Sequence, residues 1–181
     1  VHNLTVDAGD DIHIQANIKT NNGDVSLIAN SEFATPTSKE GTSDISMAAN
    51  TQIDSGRGSQ TLSAEGNITL GELLTNNFVS VTSTTGQINE GIDDGSANII
   101  TSNGGWVSLS AQKGIGNESM LDLEGVTGLF LSSEGSVNLA TTDIINQLDL
   151  DFNPVNNNVQ YNIQDNFLAT SQLKFNINAV G

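Results

Sequence analysis

Residues 78–89 read FVSVTSTTGQIN, and residues 106–117 read WVSLSAQKGIGN. Both segments begin with an aromatic residue, continue with two aliphatic residues at alternate positions, and end in a stretch that contains a glycine and an asparagine. Equivalent positions lie 28 residues apart (106 − 78 = 28, 114 − 86 = 28 and 117 − 89 = 28). A recurrence of about 20 to 50 residues is typical of solenoids, whose units stack because one unit cannot bury its own apolar face. The two segments therefore predict two neighbouring coils of a stacked structure.

A short strand cassette recurs along much of the chain. It consists of a small polar corner residue, then Ile or Val, a polar residue, and Leu, Met or Ile, as at 24–27, 44–47, 67–70 and 136–139. Alternation with a period of two indicates strands, and Gly, Asn and Asp form the corners between them. We expect corner asparagines such as Asn89 and Asn117 to hydrogen-bond through their side-chain amides along the stack. The pattern predicts an all-β fold, a parallel β-helix (β-solenoid) of roughly six to eight coils over residues 1–148.

The pattern changes after Leu148. Residues 149–154 read DLDFNP and interrupt the cassette, and longer strands are predicted at 159–163 and 173–177. Residues 149–181 are therefore interpreted as a divergent C-terminal β segment. The favoured arrangement is an antiparallel pair that caps the open end of the solenoid, where backbone groups would otherwise stay unpaired. The alternative is a continuation of the solenoid with longer strands.

Alternation along the strands also assigns side chains to faces. If Val79 points inward, its neighbour Phe78 points outward, and the same reasoning places Trp106 and Phe130 outward. Coils are spaced by about 4.8 Å, so rings on adjacent coils lie within reach of one another. The three aromatic residues are therefore candidates for a surface contact. The favoured alternative for Trp106 is that its ring covers Gly105 and packs under a corner loop.

The composition restricts the partners. The 181 residues include 21 Asp and Glu against 5 Lys and Arg, a formal net charge of −16. Such a charge repels phosphate, so we expect neither nucleic acid nor an anionic membrane as a partner. Cysteine is absent, which excludes disulfides and thiolate metal sites. No apolar run approaches the roughly 18 residues of a membrane span, so no membrane insertion is expected.

Calcium is the cofactor that the corners would suit. Carboxylates and asparagines crowd the turns, and oxygen-rich loops are what a hard cation requires. The candidates for a calcium site are Asp10, Asp11, Asp93 and Asp94. The chain lacks the nonapeptide repeat of calcium β-rolls and the twelve-residue EF-hand loop. We therefore expect no cofactor, keep structural calcium as the alternative, and interpret the acidity mainly as a device for solubility.

A carboxylate pair could also serve catalysis. Asp93 and Asp94 are adjacent, and paired carboxylates act as acid and base across a glycosidic bond in polysaccharide-cleaving enzymes, some of which are β-helices. The single arginine is Arg57, and both histidines, His2 and His13, lie far upstream. The pair is therefore interpreted as a solvated corner, and we expect no enzymatic activity. His13 alternates with isoleucines and is expected to point outward.

The N-terminal repeats resemble a known family. Residues 4–18 read LTVDAGDDIHIQANI, residues 22–30 read NGDVSLIAN, and residues 79–89 read VSVTSTTGQIN. These segments resemble repeats of the large filamentous haemagglutinin-like exoproteins of bacteria, which carry cassettes of the form G-N/D-I/V-x-L-x-A. The resemblance covers roughly residues 1–148 and implies a right-handed parallel β-helix secreted through the outer membrane. Because the motif specifies coils, it transfers no functional residue.

These observations favour a structural or adhesive function. The chain is expected to be a segment of a large secreted bacterial exoprotein, extracellular and displayed at the cell surface. Its expected partners are a receptor or glycan on a host or neighbouring cell, contacted through loops such as Glu32–Ser43, and the outer-membrane transporter of the parent protein. Self-association is a further expectation. Two alternatives remain, a self-assembling subunit of an extracellular filament or sheath, and a polysaccharide-active β-helix enzyme.

Overall fold

The fold is a parallel β-solenoid of about six coils. The structure is a computed structural model that describes residues 2–29, 41–91, 95–141, 143, 145–154, 160–164 and 172–177. These residues form eighteen strands and no helix. The insertion predicted at Glu32–Ser43 lies mostly outside the described residues, as do the carboxylates Asp93 and Asp94.

The strands are short and are separated by polar corners, as the cassettes predict. In chain order they are β1 Leu4–Ala8, β2 Ile12–Ile14, β3 Ile18–Lys19, β4 Val25–Ala29, β5 Ile45–Met47, β6 Gln52–Gly56, β7 Gln60–Ala64, β8 Ile68–Leu70, β9 Glu72–Thr75, β10 Val79–Ser83, β11 Gln87–Glu90, β12 Ile99–Ala111, β13 Gly114–Ile115, β14 Leu121–Ser133, β15 Ser136–Thr141, β16 Gln147–Phe152, β17 Tyr161–Gln164 and β18 Gln172–Ile177.

Parallel pairing arranges the strands in three faces. The first face stacks β1, β4, β7, β10, the second half of β12, the second half of β14, β16 and β18. The second face stacks β2, β5, β8, β11, β13, β15 and β17. The third face stacks β3, β6 and β9, then the first halves of β12 and β14, and the end of β15. Every strand thus pairs with the strand one coil away, which confirms the predicted parallel β-solenoid.

The core consists of aliphatic columns, one behind each face. On the first face the register aligns Leu27, Leu62, Val81, Leu109, Leu131 and Leu150. On the second it aligns Ile12, Ile45, Ile68, Ile88, Ile115 and Val137. On the third it aligns Ile53, Leu73, Ile99 and Leu123. None of these residues is more than 8% exposed, so each coil buries its apolar face against the next.

The 28-residue repeat is correct on the first face and shifts on the second. Val79 pairs with Val107, an offset of 28 (107 − 79 = 28). Gln87 pairs with Gly114, an offset of 27 (114 − 87 = 27). The prediction that Gly86 and Gly114 are equivalent is therefore wrong. The corner that precedes Gly114 is one residue shorter than the corner below it, and corners absorb length changes because their side chains do not belong to the core.

Glycines let the chain turn where β12 and β14 pass from the third face to the first without a break. Gly104 has φ of +81° and Gly125 has φ of +74°, a region that residues with a Cβ rarely adopt. At Gly125 a Cβ would also lie 1.9 Å from the carbonyl oxygen of Thr101 on the coil below. The register between the two strands shifts on both sides of Gly105, as expected for a bulge at this corner.

The strands after Leu148 continue the stack. β17 pairs in parallel with β15, and β18 pairs in parallel with β16. The antiparallel pair predicted from 159–163 and 173–177 is therefore wrong for the described strands. The reason is that β17 and β18 belong to different faces, so each finds its partner one coil below. Tyr161 and Phe152 stack at 4.0 Å between ring centroids, with an interplanar angle of 2°.

Candidate functional site

The most exposed large apolar side chain among the described residues lies on the first face. Trp106 is 45% exposed, whereas the next residue along the strand, Val107, and its register partner Leu129 are fully buried. The indole lies 5.4 Å from the ring of Phe130, measured between centroids, at an interplanar angle of 38°. Trp106 and Phe130 both point outward, as the alternation predicts. We call this contact the aromatic pair.

The aromatic pair is offset along the strands. In the register, Trp106 lies opposite Gly128, and Phe130 lies opposite Ser108. The two rings therefore sit on neighbouring coils but one outward position apart, and they meet diagonally. Phe78 is half-buried and lines a hollow together with Trp106, Asn76, Asn77, Gly104 and Gly105. The three predicted contact residues thus lie on one side of the solenoid.

The indole of Trp106 rests on a glycine of the next coil. A Cβ built on Gly128 would lie 2.9 to 3.1 Å from three indole carbons, so the ring packs directly against the backbone there. At Gly105 a Cβ would lie 2.4 Å from the carbonyl oxygen of Asn77 and 2.6 Å from the Cβ of Thr101. That Trp106 also covers Gly105, its own chain neighbour, stays a prediction. A strand side chain covers its register neighbour across the ladder, because its own chain neighbour faces the other way.

A polar trough adjoins the aromatic pair. It is lined by Phe130, by the hydroxyl residues Ser108, Ser110 and Ser132, by Leu109 and Leu131, and by the carboxylates Asp149 and Asp151. The hydroxyl and carboxylate side chains occupy the alternate outward positions of β12, β14 and β16. The small serine side chains of β12 and β14 leave the groove open, and the ring of Phe130 and the two acids of β16 border it.

The carboxylate and amide side chains of one corner form a ladder between coils. The backbone N–H of Asp44 donates to Oδ1 of Asp11 at 2.8 Å, that of Asn67 donates to Oδ1 of Asp44 at 2.7 Å, and that of Gln87 donates to Oδ1 of Asn67 at 3.1 Å. Asp11, Asp44 and Asn67 each directly precede a strand. This role was missed in the sequence, although an Asn or Asp just before the first inward isoleucine was its visible signal.

The asparagine stack uses a different donor from the one expected. The amide oxygen of Asn89 accepts from the backbone N–H of Asn117 at 3.2 Å, and the side-chain amide of Asn117 donates to the carbonyl of Lys113 within its own coil. The side-chain amide of Asn89 therefore bonds along the stack as expected, with the backbone N–H of Asn117 as the donor, and this bond is not one between two side-chain amides. Such a bond does join Asn162 to Asn138, at 2.7 Å.

The two described calcium candidates, Asp10 and Asp11, lie in different surroundings. Asp11 serves the corner ladder, and Asp10 is half-buried, with a buried Oδ1 that has no hydrogen-bond partner. Within the described residues, no group of three or more His, Asp or Glu side chains is arranged to hold a metal ion. Asp93 and Asp94 lie outside the described residues. Structural calcium stays a prediction.

A second hollow has Gly91 in its lining, the last described residue before the segment 92–94. Glu72, Glu90, Gln52 and Asn98 line it, and the amide of Gln52 donates to Oε1 of Glu72. Glu90 is buried, with 7% of its surface exposed. The carboxylates of Glu72 and Glu90 therefore line one hollow, whereas the catalytic pair suggested by the sequence, Asp93 and Asp94, lies outside the described residues.

The fold shifts the pKa values of Asp54 and Tyr161. The ammonium group of Lys19 donates to the carboxylate of Asp54 at 2.5 Å, and this bond lowers the pKa of Asp54. Burial acts in the opposite direction, and the N–H of Gly56 lowers the pKa further. Burial raises the pKa of Tyr161, whose hydroxyl has no hydrogen-bond partner. His13 points outward as predicted, with Nδ1 2.5 Å from the hydroxyl of Ser46.

Comparison with known protein families, with curated proteins and with solved structures gives no match for this chain. The resemblance to filamentous haemagglutinin-like exoproteins therefore stays a prediction. The described part of the chain contains no helix that is long and apolar enough to cross a membrane.

Proposed function

We propose that the chain is a structural and adhesive segment of a large secreted bacterial exoprotein. The observation that supports this most directly is the stack of aliphatic columns on three faces, in which most inward residues are fully buried. Such a stack grows by adding coils without changing its cross-section. In this proposal the solenoid provides a stiff support, and its outward side chains provide contact surface at the cell exterior.

The outward side chains of the solenoid support the adhesive part of the proposal. Outward positions of the first face carry mostly Ser and Thr on the early coils, and an aromatic ring and carboxylates on the later ones. Contact would therefore be made by an extended face and by corner loops. The partner in this proposal is a receptor or glycan on a host or neighbouring cell, and the parent protein would reach the surface through its own outer-membrane transporter.

Cell retention on coated beads tests the proposal. Beads carrying the folded chain should retain bacterial or host cells above the level of albumin-coated beads, and beads carrying the urea-unfolded chain should not. Equal retention on all three kinds of bead, across a panel of both cell types, would contradict an adhesive function. Light scattering on the same sample addresses self-association, because elongated species that grow with protein concentration would favour the filament alternative.

A further inference from the structure

The aromatic pair presents a fixed platform. The indole of Trp106 rests on the backbone of Gly128 and touches the ring of Phe130, yet 45% of Trp106 remains exposed. A large ring that is already held in place loses little conformational entropy when a ligand covers it. The pair therefore combines exposed apolar area with low mobility, which is what an aromatic binding residue requires.

The trough beside the platform supplies polar groups. Ser108, Ser110 and Ser132 each offer one hydroxyl donor and two acceptor lone pairs, and Asp149 and Asp151 offer carboxylate acceptors. A ligand with an apolar face and a rim of hydroxyl groups would satisfy both parts of this surface at once. The pyranose ring of a sugar has this character, since its C–H groups lie on one face and its hydroxyls around the edge.

The apolar area is small for a protein partner. Stable protein interfaces bury about 800 Å² on each partner and rely on several clustered apolar anchors. Among the residues whose side-chain burial the structure describes, which leaves out 172–177, Trp106 is the only large apolar residue that is strongly exposed. A single ring surrounded by hydroxyls suits one or two sugar units better than a protein surface.

Charge selects among sugars. Two carboxylates line the trough, and the whole chain has a formal net charge of −16. Sulfated and carboxylated glycans would be repelled by this field, and the repulsion would be strongest at low ionic strength. Uncharged hexose glycans would meet no such barrier.

We propose that the trough beside the aromatic pair binds an uncharged hexose glycan, with a sugar ring stacked on Trp106 and its hydroxyls bonded to the serines. This inference rests on the proposed adhesive function and names the ligand class for it. The glycan chain would lie along the trough, across the coils that contribute β12, β14 and β16.

The chain carries its own reporter for the test. Trp106 is the single tryptophan, so intrinsic fluorescence reports directly on the platform. Titration with hexasaccharides of glucose, N-acetylglucosamine, galactose and mannose should give a saturable change with at least one of them. Heparin and hyaluronan, as acidic probes, should give none at low ionic strength. No response to any of the four up to about 10 mM, or a preference for the acidic probes, would overturn the proposal.

Variants separate binding from folding. Ser110→Gln fills the trough and keeps the tryptophan. It should lower the glycan affinity, measured by the fluorescence titration, by about tenfold or more. Trp106→Ala, followed by calorimetry, should abolish binding. The matched control is Ile28→Ala, which shortens another half-buried outward side chain of the first face, on a distant coil, and should bind as the parent does. Thermal melting establishes that each variant is folded. Unchanged affinity in folded Ser110→Gln and Trp106→Ala would overturn the proposal.

The bead assay distinguishes a failure of the glycan proposal from a failure of the proposed adhesive function. Cell retention that survives in Trp106→Ala would leave the adhesive function in place and refute the trough as the site through which the chain adheres. Glycan binding by the parent chain without any cell retention would support the trough and refute the adhesive function.

Discussion

Truncation of Leu62 tests the stacked core most directly. The side chain is fully buried in β7, and the register holds it between Leu27 and Val81, which are also fully buried. Leu62→Ala removes three carbons, worth about 2.4 kcal/mol of transfer free energy at about 0.8 kcal/mol for each buried methylene. A residual cavity of about 60 Å³ adds about 1.5 kcal/mol at about 24 cal/mol per Å³. We therefore expect the free energy of unfolding to fall by about 4 kcal/mol.

The cavity should persist because ladder hydrogen bonds hold neighbouring coils at about 4.8 Å. Urea unfolding, followed by circular dichroism, measures the change. The matched control is Ser63→Ala, the next residue along β7, which points outward and should change the free energy by less than about 0.5 kcal/mol. A loss below about 1 kcal/mol for Leu62→Ala would refute the reasoning. A larger loss at Ser63 than at Leu62 would mean that the strand is out of register by one residue.

Three further outcomes are expected. Asp44→Ala should lower the free energy of unfolding by about 1 kcal/mol, because the N–H of Asn67 loses its acceptor. Asp44→Asn keeps an oxygen at this place and should lower the free energy of unfolding much less. Equal losses of both variants in urea unfolding would contradict the corner ladder. The pKa of Asp54 is lowered in the fold, so its bond to Lys19 should stabilise the chain above the ordinary carboxyl value of 3.8 and lose that effect as the pH falls through the lower folded pKa. Lys19 is 72% exposed, so Asp54→Asn should cost less than about 1 kcal/mol at pH 6, and this cost should shrink as the pH falls below 3.8; a cost that stays constant would argue against the pair. If calcium is structural, EGTA should lower the melting temperature of the metal-loaded chain, and an unchanged melt would exclude that role.

Much of the fold could be predicted from the amino-acid sequence. The inward positions Val79, Val107 and Leu129 follow from alternation alone, because successive side chains on a strand face opposite ways. The offset of 28 residues between Val79 and Val107 follows from the repeat, since equivalent residues of stacked units pair. Outward placement of Trp106 and Phe130 follows by the same logic. All of these are local or periodic properties.

The candidate site was predictable only in part. Alternation places Trp106 and Phe130 outside, but it does not say that Trp106 faces Gly128 or that Asp149 and Asp151 complete the trough. Those neighbours are set by coil lengths, which vary among the described pairings from 18 residues (139 − 121 = 18) to 35 residues (60 − 25 = 35). Corner loops absorb such differences without any mark in the strand pattern.

By itself, the sequence determined the strand period, the inward and outward faces and the stacking of coils, because these depend on hydrophobic alternation and on repetition. Only the tertiary structure decided which residues meet across coils. Gln60 shows this well, since it occupies a fully buried inward position between Val25 and Val79. Its amide donates to the carbonyls of Ile53 at 2.9 Å and Leu74 at 2.8 Å, which lie on two other strands. A buried amide is tolerated only where such partners converge, and convergence is a property of the folded coils.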